Sequence, residues 1–379
     1  MLYSYDLKNK KRDLTDVLST VVADQPRFIS LFVPRADATN TTHEWLEDGI
    51  SGRAITAANA SGLTVTLSEA DAAKVVKGAQ LTIADDSCLF EIASISGTTA
   101  TLKLIAANGS AKEAPATGDI LNIVSTPIVE GSDHGEQTYH QGGSEFNYTQ
   151  IFRKDITLTG TALAVNVYGN QDNALTNQTK FALQELTRDL NRVALFGHRT
   201  KASATSNGAA GGLYEFGLQP GGLAVAAGGN ALDSYIVNDA AQAILGAGAT
   251  PSTLIVSPGQ ARVLSAEYKD KVTIQREDRT RGAHVATIVN AITGGLMTIY
   301  ADPDVPDTDA WLVDPAGFGL CNLNGRGISD EDATPRGFDG IRRMALGELT
   351  FEFKNAKQRL CRISGLKSSK AAIEALRGA

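Results

Sequence analysis

Histidine, cysteine and aromatic residues are all scarce in this 379-residue chain: five histidines, three cysteines, and a 6% share of Phe, Trp and Tyr. Each scarcity removes a class of function. Cys88, Cys321 and Cys361 lie far apart with no CxxC pair. Their spacing suggests neither a disulfide framework nor a zinc site, and a reducing compartment suits such a chain. The scattered histidines offer no base–nucleophile pair. There is no GxSxG elbow and no GxxxxGK[ST] phosphate loop. His43-Glu44 begins like a zincin motif, but Glu47 stands where the second imidazole is required. Gly246-Ala-Gly248 follows a helical pattern, and Pro251 ends the would-be GxGxxG. Asp302-Pro-Asp304-Val-Pro-Asp307 lacks the glycine and closing glutamate of a calcium loop. A positive excess is missing too: the net charge is -7 and the pI about 5.4, which argues against binding nucleic acid through one large basic face. No run approaches the 18 or so apolar residues of a membrane span, and Met1–Asp6 has no apolar leader. The expectation is a non-enzymatic protein with no cofactor, no resident metal and no membrane contact.

What is present is a folding-competent composition, 42% hydrophobic and 20% charged. The strongest element is a helix over Leu175–Phe196. Leu175, Thr179, Ala182, Leu183, Leu186, Leu190 and Val193 recur at i, i+3/i+4 spacing. Asp172 or Asn173 suits the N-cap, and Gly197 suits a left-handed C-terminal stop. Lys180, Gln184, Glu185, Arg188, Asn191 and Arg192 fill the other side. At 1.5 Å per residue the helix is roughly 33 Å long. Phe181 and Leu195 fall on its polar side, so contact from two directions is expected, by its own chain or by another.

Upstream, Lys8, Lys10, Lys11 and Arg12 end a polar arm, read as solvated, with an acidic partner or packaged nucleic acid as the other option. Asp13–Ala23 has helical periodicity and Phe28–Val33 reads as a strand. Over residues 55–125, Leu63–Leu67, Ala79–Ile83, Leu89–Ile95, Thr99–Leu104 and Ile120–Val124 alternate apolar residues between glycine turns, which points to a small antiparallel barrel or sandwich. Glu130–Ser144, with His134 and His140, reads as an exposed loop because the histidine spacing is irregular. Glu145–Leu158 reads as one strand and Ser203–Gly212 as a linker. Residues 213–345 are mixed α/β, and Leu349–Gly365 reads as two long strands.

Three stretches, in this order, resemble the major capsid proteins of tailed phages, which have the Hong Kong 97-type fold. They are His43-Glu-Trp-Leu-Glu-Asp48, then Asn147-Tyr-Thr-Gln-Ile-Phe-Arg-Lys-Asp-Ile-Thr-Leu-Thr-Gly-Thr161, then Ala310-Trp-Leu-Val-Asp-Pro315 with Gly347–Ala356 and Ile363-Ser-Gly-Leu366. The resemblance spans about residues 5–366 and implies an α+β fold. Its parts would be an N-terminal arm (1–42), extended-loop limbs (43–54 and 126–160) and an inserted all-β domain (55–125). A peripheral domain with the long spine helix (161–212 and 346–379) and an axial domain (213–345) would complete it. It implies pentamers and hexamers of this chain tiling an icosahedral virion shell around double-stranded DNA, assembled in the host bacterial cytoplasm. Separate scaffolding, portal and decoration proteins would be its further partners. Inter-subunit contacts are expected at Trp45, Asp48, Arg53, Gln150, Phe152, Arg153 and Phe181, with Trp45 and Phe152 buried between chains because the limbs have little core of their own. An encapsulin-like cargo shell, or a β-rich carbohydrate-binding or tail-associated protein, is the alternative.

Overall fold

The computed structural model describes residues 28–47, 54–83, 88–107, 112–128, 143–165, 174–267, 287–289, 292 and 294–378. The expected Asp13–Ala23 helix, the basic run before it, the His134/His140 loop, the Asp172/Asn173 cap, Asp48 and Arg53 lie outside the described residues. The chain divides into two compact units, Met1–Trp45 with Ser144–Ala379, and Leu46–Gly143.

The large unit opens on a 3-10 turn at Phe28–Leu31, followed by β1 (Val33–Pro34) and β2 (Thr42–Glu47). The sequence suggests a strand across Phe28–Val33. A turn forms instead because it brings Phe28 and Phe32 edge to face at 5.2 Å, and Phe32 then stacks on Phe318 at 5.1 Å. Extended backbone would hold the two rings about 13 Å apart.

In the small unit come β3 (Ala54–Thr56), β4 (Asn59–Ser61), β5 (Thr64–Thr66), a single helical turn α1 (Glu69–Ala72), β6 (Gln80–Ile83), β7 (Leu89–Ser96), β8 (Thr99–Ala106) and β9 (Ile120–Ser125). They form one sheet in the order β3-β9-β6-β7-β8-β5-β4, antiparallel at every step. Its two edges, β3 and β4, are joined by Ala57-Ala58 alone, so the sheet must curl to bring them together. Ala57 N–H reaches Asp119 O at 3.0 Å and Ala60 N–H reaches the Thr117 hydroxyl at 3.1 Å. Alternation then points Leu81, Ile83, Phe90, Ile92 and Leu102 into one core. Gly97, at φ 59° in the two-residue turn between β7 and β8, occupies a conformation that favours glycine.

The chain returns to the large unit through β10 (Gly143–Tyr148) and β11 (Gln150–Thr159), separated at Thr149 where one continuous strand is expected. Next are α2 (Gly160–Ala164), the spine α3 (Ala174–Phe196), α4 (Leu213–Gly217), β12 (Leu223–Ala226), α5 (Ser234–Gly246), β13 (Thr253–Val256) and α6 (Pro258–Glu267). Then come β14 (Thr287–Val289), β15 (Leu296–Ala301), β16 (Ala310–Val313), β17 (Phe318–Asn322), β18 (Ser329–Asp332), β19 (Gly340–Phe353), α7 (Ala356–Arg359), β20 (Leu360–Ser364) and α8 (Ser369–Gly378).

One sheet runs β1-β17-β19-β11, with β18 also on β19, and a second runs β12-β20-β16-β13-β15-β14. The two strands expected across Leu349–Gly365 do not pair. β19 lies against β11 from Gln150↔Leu349 to Thr159↔Gly340, whereas β20 enters the second sheet between β12 and β16. Residues 346–379 are therefore divided between sheets, and β17 and β18 join the first sheet although both fall within 213–345. The left-handed stop at Asn355 (φ 54°) and the short α7 turn the chain from one sheet to the other. β13 and β16 are buried at every position. Trp311 and Val313 face the core beneath the spine helix, while Ala310 and Leu312 face a second core lined by α5 and α6.

Candidate functional site

The spine helix divides along its length. Its C-terminal half buries Leu186, Leu190, Ala194 and Leu195. Leu195, placed by periodicity among polar residues, is fully covered by its own chain. So is Asn191: its Oδ1 accepts from Ile29 N–H at 3.0 Å, and its Nδ2 donates to Asp302 and Asp304, each at 3.1 Å. Asp302 in turn accepts from Phe28 N–H. Gly197 is not left-handed. A Cβ there would strike the Ala210 carbonyl, so glycine is needed for close backbone approach. The N-terminal half is different. Phe181 remains 36% and Leu183 38% exposed. Two positions apart on a helix is about 200° of rotation, so these side chains occupy opposite flanks; Leu183, seven residues before Leu190, follows the line of the apolar stripe but lies uncovered.

The ends of the loop strands, β2 and β10, are held by the chain's own interior. Trp45 is 6% exposed and packs on Phe216 with ring centroids 5.9 Å apart. Phe152 is buried in the same core, on the β11 face that meets the spine helix. The expectation that these two rings await a neighbouring subunit is corrected: α4 and the spine supply the apolar surface that the limbs lack. Gln150 is engaged as well, its Oε1 accepting from Ala210 N–H at 3.1 Å. Asn147 is fully buried, donating to the carbonyls of Gly211 and Phe351 and accepting from Gly211 N–H. The end of the expected Ser203–Gly212 linker is thus core, not linker. Arg199 lies 4.8 Å from the centroids of both Phe146 and Phe216 and pairs with Glu145 and Glu215. Thr149 donates to Glu348 at 2.7 Å, and Arg326 pairs with the same carboxylate. On the opposite face of β11, Ile151 is 54% exposed, and Arg153 is exposed, bonded to Asp155 at 2.7 Å.

Sequence spacing gave no sign of the cluster formed by His43, Cys321 and Glu352. His43 Nε2 lies 2.7 Å from Glu352 Oε1 and 3.7 Å from Cys321 Sγ, and Lys354 Nζ lies 3.1 Å from Glu352 Oε2. Burial would raise the Glu352 pKa, but hydrogen bonds from His43 and Lys354 overcome it and hold the group at about 2. Burial, aided by the Glu352 charge, pushes the Cys321 thiol up to about 12.

Residues 2–367 match the family described as SU10 major capsid protein. The chain belongs to that family. Its fold is the Hong Kong 97-type capsid fold, its function is that of a shell-forming major capsid protein, and its place is the virion capsid. Solved structures agree on the fold. The capsid of cyanophage A-1(L) is 12% identical at a TM-score of 0.57, over 96% of this chain and 98% of that one. The capsid of a native GTA particle is 8% identical at 0.55, over 96% and 97%. A Microbacterium phage Oxtober96 chain is 10% identical at 0.53, over 96% and 99%. No curated protein matches. The family resemblance carried by the three sequence stretches is therefore correct, although the aromatic residues within them stabilise the capsid subunit itself.

Proposed function

We propose that this capsid subunit assembles into pentamers and hexamers that tile an icosahedral head around double-stranded DNA. Its role is mechanical, not catalytic. Assembly takes place in the bacterial cytoplasm, with scaffolding, portal and decoration proteins as further partners. The net charge of -7 favours enclosure of DNA without sequence-specific contact.

The observation that carries the reading is the outer half of the spine helix, which leaves Phe181 and Leu183 exposed on opposite flanks in a chain of a shell-forming family. Each flank would face a different neighbour. Exposed Arg153, together with Asp48 and Arg53, would belong to the same contact set. Trp45, Phe152 and Gln150 would orient the loop limbs from inside the subunit. The separate compactness of Leu46–Gly143 supports treating that segment as a module added to the loop. Negative-stain microscopy with light scattering on the purified full chain, at near-physiological salt and with its scaffolding partner, tests this. Closed shells or rings of five and six are expected. A discrete trimer that never forms rings would overturn it.

A further inference from the structure

We propose that His43, Cys321 and Glu352 form a binding site for a divalent cation of the Zn2+ class at the root of β2. The residues come from β2, β17 and β19, the outer two 309 positions apart. One donor atom from each lies within 4.8 Å of the others. Imidazole, thiolate and carboxylate are the donor types zinc uses. Tetrahedral bonds of about 2.3 Å to sulfur and 2.0 Å to nitrogen place those two atoms about 3.5 Å apart. The observed 3.7 Å separation of Cys321 Sγ and His43 Nε2 is close to that. The carboxylate has to draw back from His43 by roughly half an ångström to match.

Sheet register explains the convergence. Cys321 pairs with Thr350 and Gly319 with Glu352, so Cys321 and Glu352 are diagonal neighbours on one face. Gly319 leaves room for the carboxylate: a Cβ there would lie 2.7 Å from Glu352 Oε2. Glu352 and Cys321 are buried. Lys354 Nζ sits 3.1 Å from Glu352 Oε2, so Oε1 is the oxygen turned toward His43. The His43 side chain, 19% exposed, provides an entry path and a place for water as fourth ligand.

Binding balances simply. The Cys321 thiol proton goes to solvent, the ring proton of His43 resides on Nδ1, and the thiolate and carboxylate neutralise the cation. Lys354 stays beside the outer carboxylate oxygen. The ion would tie the incoming loop strand to the sheet made by β17 and β19.

The probe is Co2+ alone, titrated into the metal-stripped full-length chain and followed by absorption, with Zn2+ as competitor. A sulfur-to-cobalt charge-transfer band saturating at one ion per chain, and displaced by Zn2+, is expected. The band should persist in the Cys88→Ser/Cys361→Ser variant and vanish in Cys321→Ser. His43→Gln changes a partly exposed side chain that is able to keep a hydrogen bond to Glu352, so it tests the site without depending on a core substitution. Its Co2+ affinity should fall roughly tenfold or more. No band at saturating Co2+, or undiminished affinity in His43→Gln, would overturn the proposal. Shell formation is read separately, so loss of this site would leave the capsid reading standing.

Discussion

The two compact units differ in how far their strand pairings reach along the chain. In Leu46–Gly143, β4 pairs with β5, β6 with β7 and β7 with β8, each a neighbour in sequence, and the longest reach, β3 to β9, joins Ala54 to Asn122. In the rest of the chain, β1 pairs with β17, β11 with β19 and β12 with β20, so its sheets close only when segments far apart in the chain meet. The first arrangement rests largely on alternation and turns, which a short window of sequence carries. The second needs specific long-range ties, and long-range closure is entropically costly and slow. The buried polar groups show where those ties are. Asn191 and Asp302 join the arm, the spine and the turn after β15, and Asn147 joins β10 to β19 and Gly211.

The strongest way to break this contrast is Phe216→Ala. Phe216 packs on Trp45 and Phe353, and its loss should cost about 3–5 kcal/mol. Calorimetry should show the large unit melting earlier while the transition of Leu46–Gly143 holds. Asn191→Ala comes next. It strips partners from Asp302, Asp304 and Ile29 N–H, and denaturant unfolding should show a loss of about 2–3 kcal/mol. The matching test in the small unit is Gly97→Ala. Nothing lies within 4 Å of the added Cβ, so only the left-handed backbone is strained, and about 1 kcal/mol should be lost from that unit alone.

The smallest effect is a pH dependence. Burial would raise the Asp307 pKa, but the Ser257 hydroxyl and Ser369 hold it below 3.8. Stability from this group is present above 3.8 and is lost as pH falls through the lower folded-state value. Asp307→Asn should flatten the decline of melting temperature over that acid range.

The same contrast governs what sequence could reveal. The spine helix, expected over Leu175–Phe196, spans Ala174–Phe196, because one amphipathic stripe encodes it. Five of the seven strands of the small unit, β5 to β9, fall where alternation and glycine turns place them, whereas β3 and β4, three residues each, are too short to show alternation. Asn191 looked like surface because an amide on a helix carries no mark of a distant carboxylate. Trp45 and Phe152 looked unpartnered beside their sequence neighbours, yet Phe216 and the spine meet them in space. Phe181 does remain exposed, consistent with its position opposite the apolar stripe. The Cys321–Glu352 adjacency depends on the register of β17 against β19, and His43 on the path of β2; no spacing rule links the three.

The central claim is that this capsid subunit keeps its loop anchors inside and offers the outer spine to its neighbours. Phe181→Asp tests it most directly, with shell yield measured by light scattering and microscopy beside the melting temperature of the unassembled subunit. The account predicts a melting temperature close to wild type, since a substitution at an exposed site changes stability by about 0.5 kcal/mol or less, together with a strong loss of closed shells. Full shell yield from Phe181→Asp would contradict it.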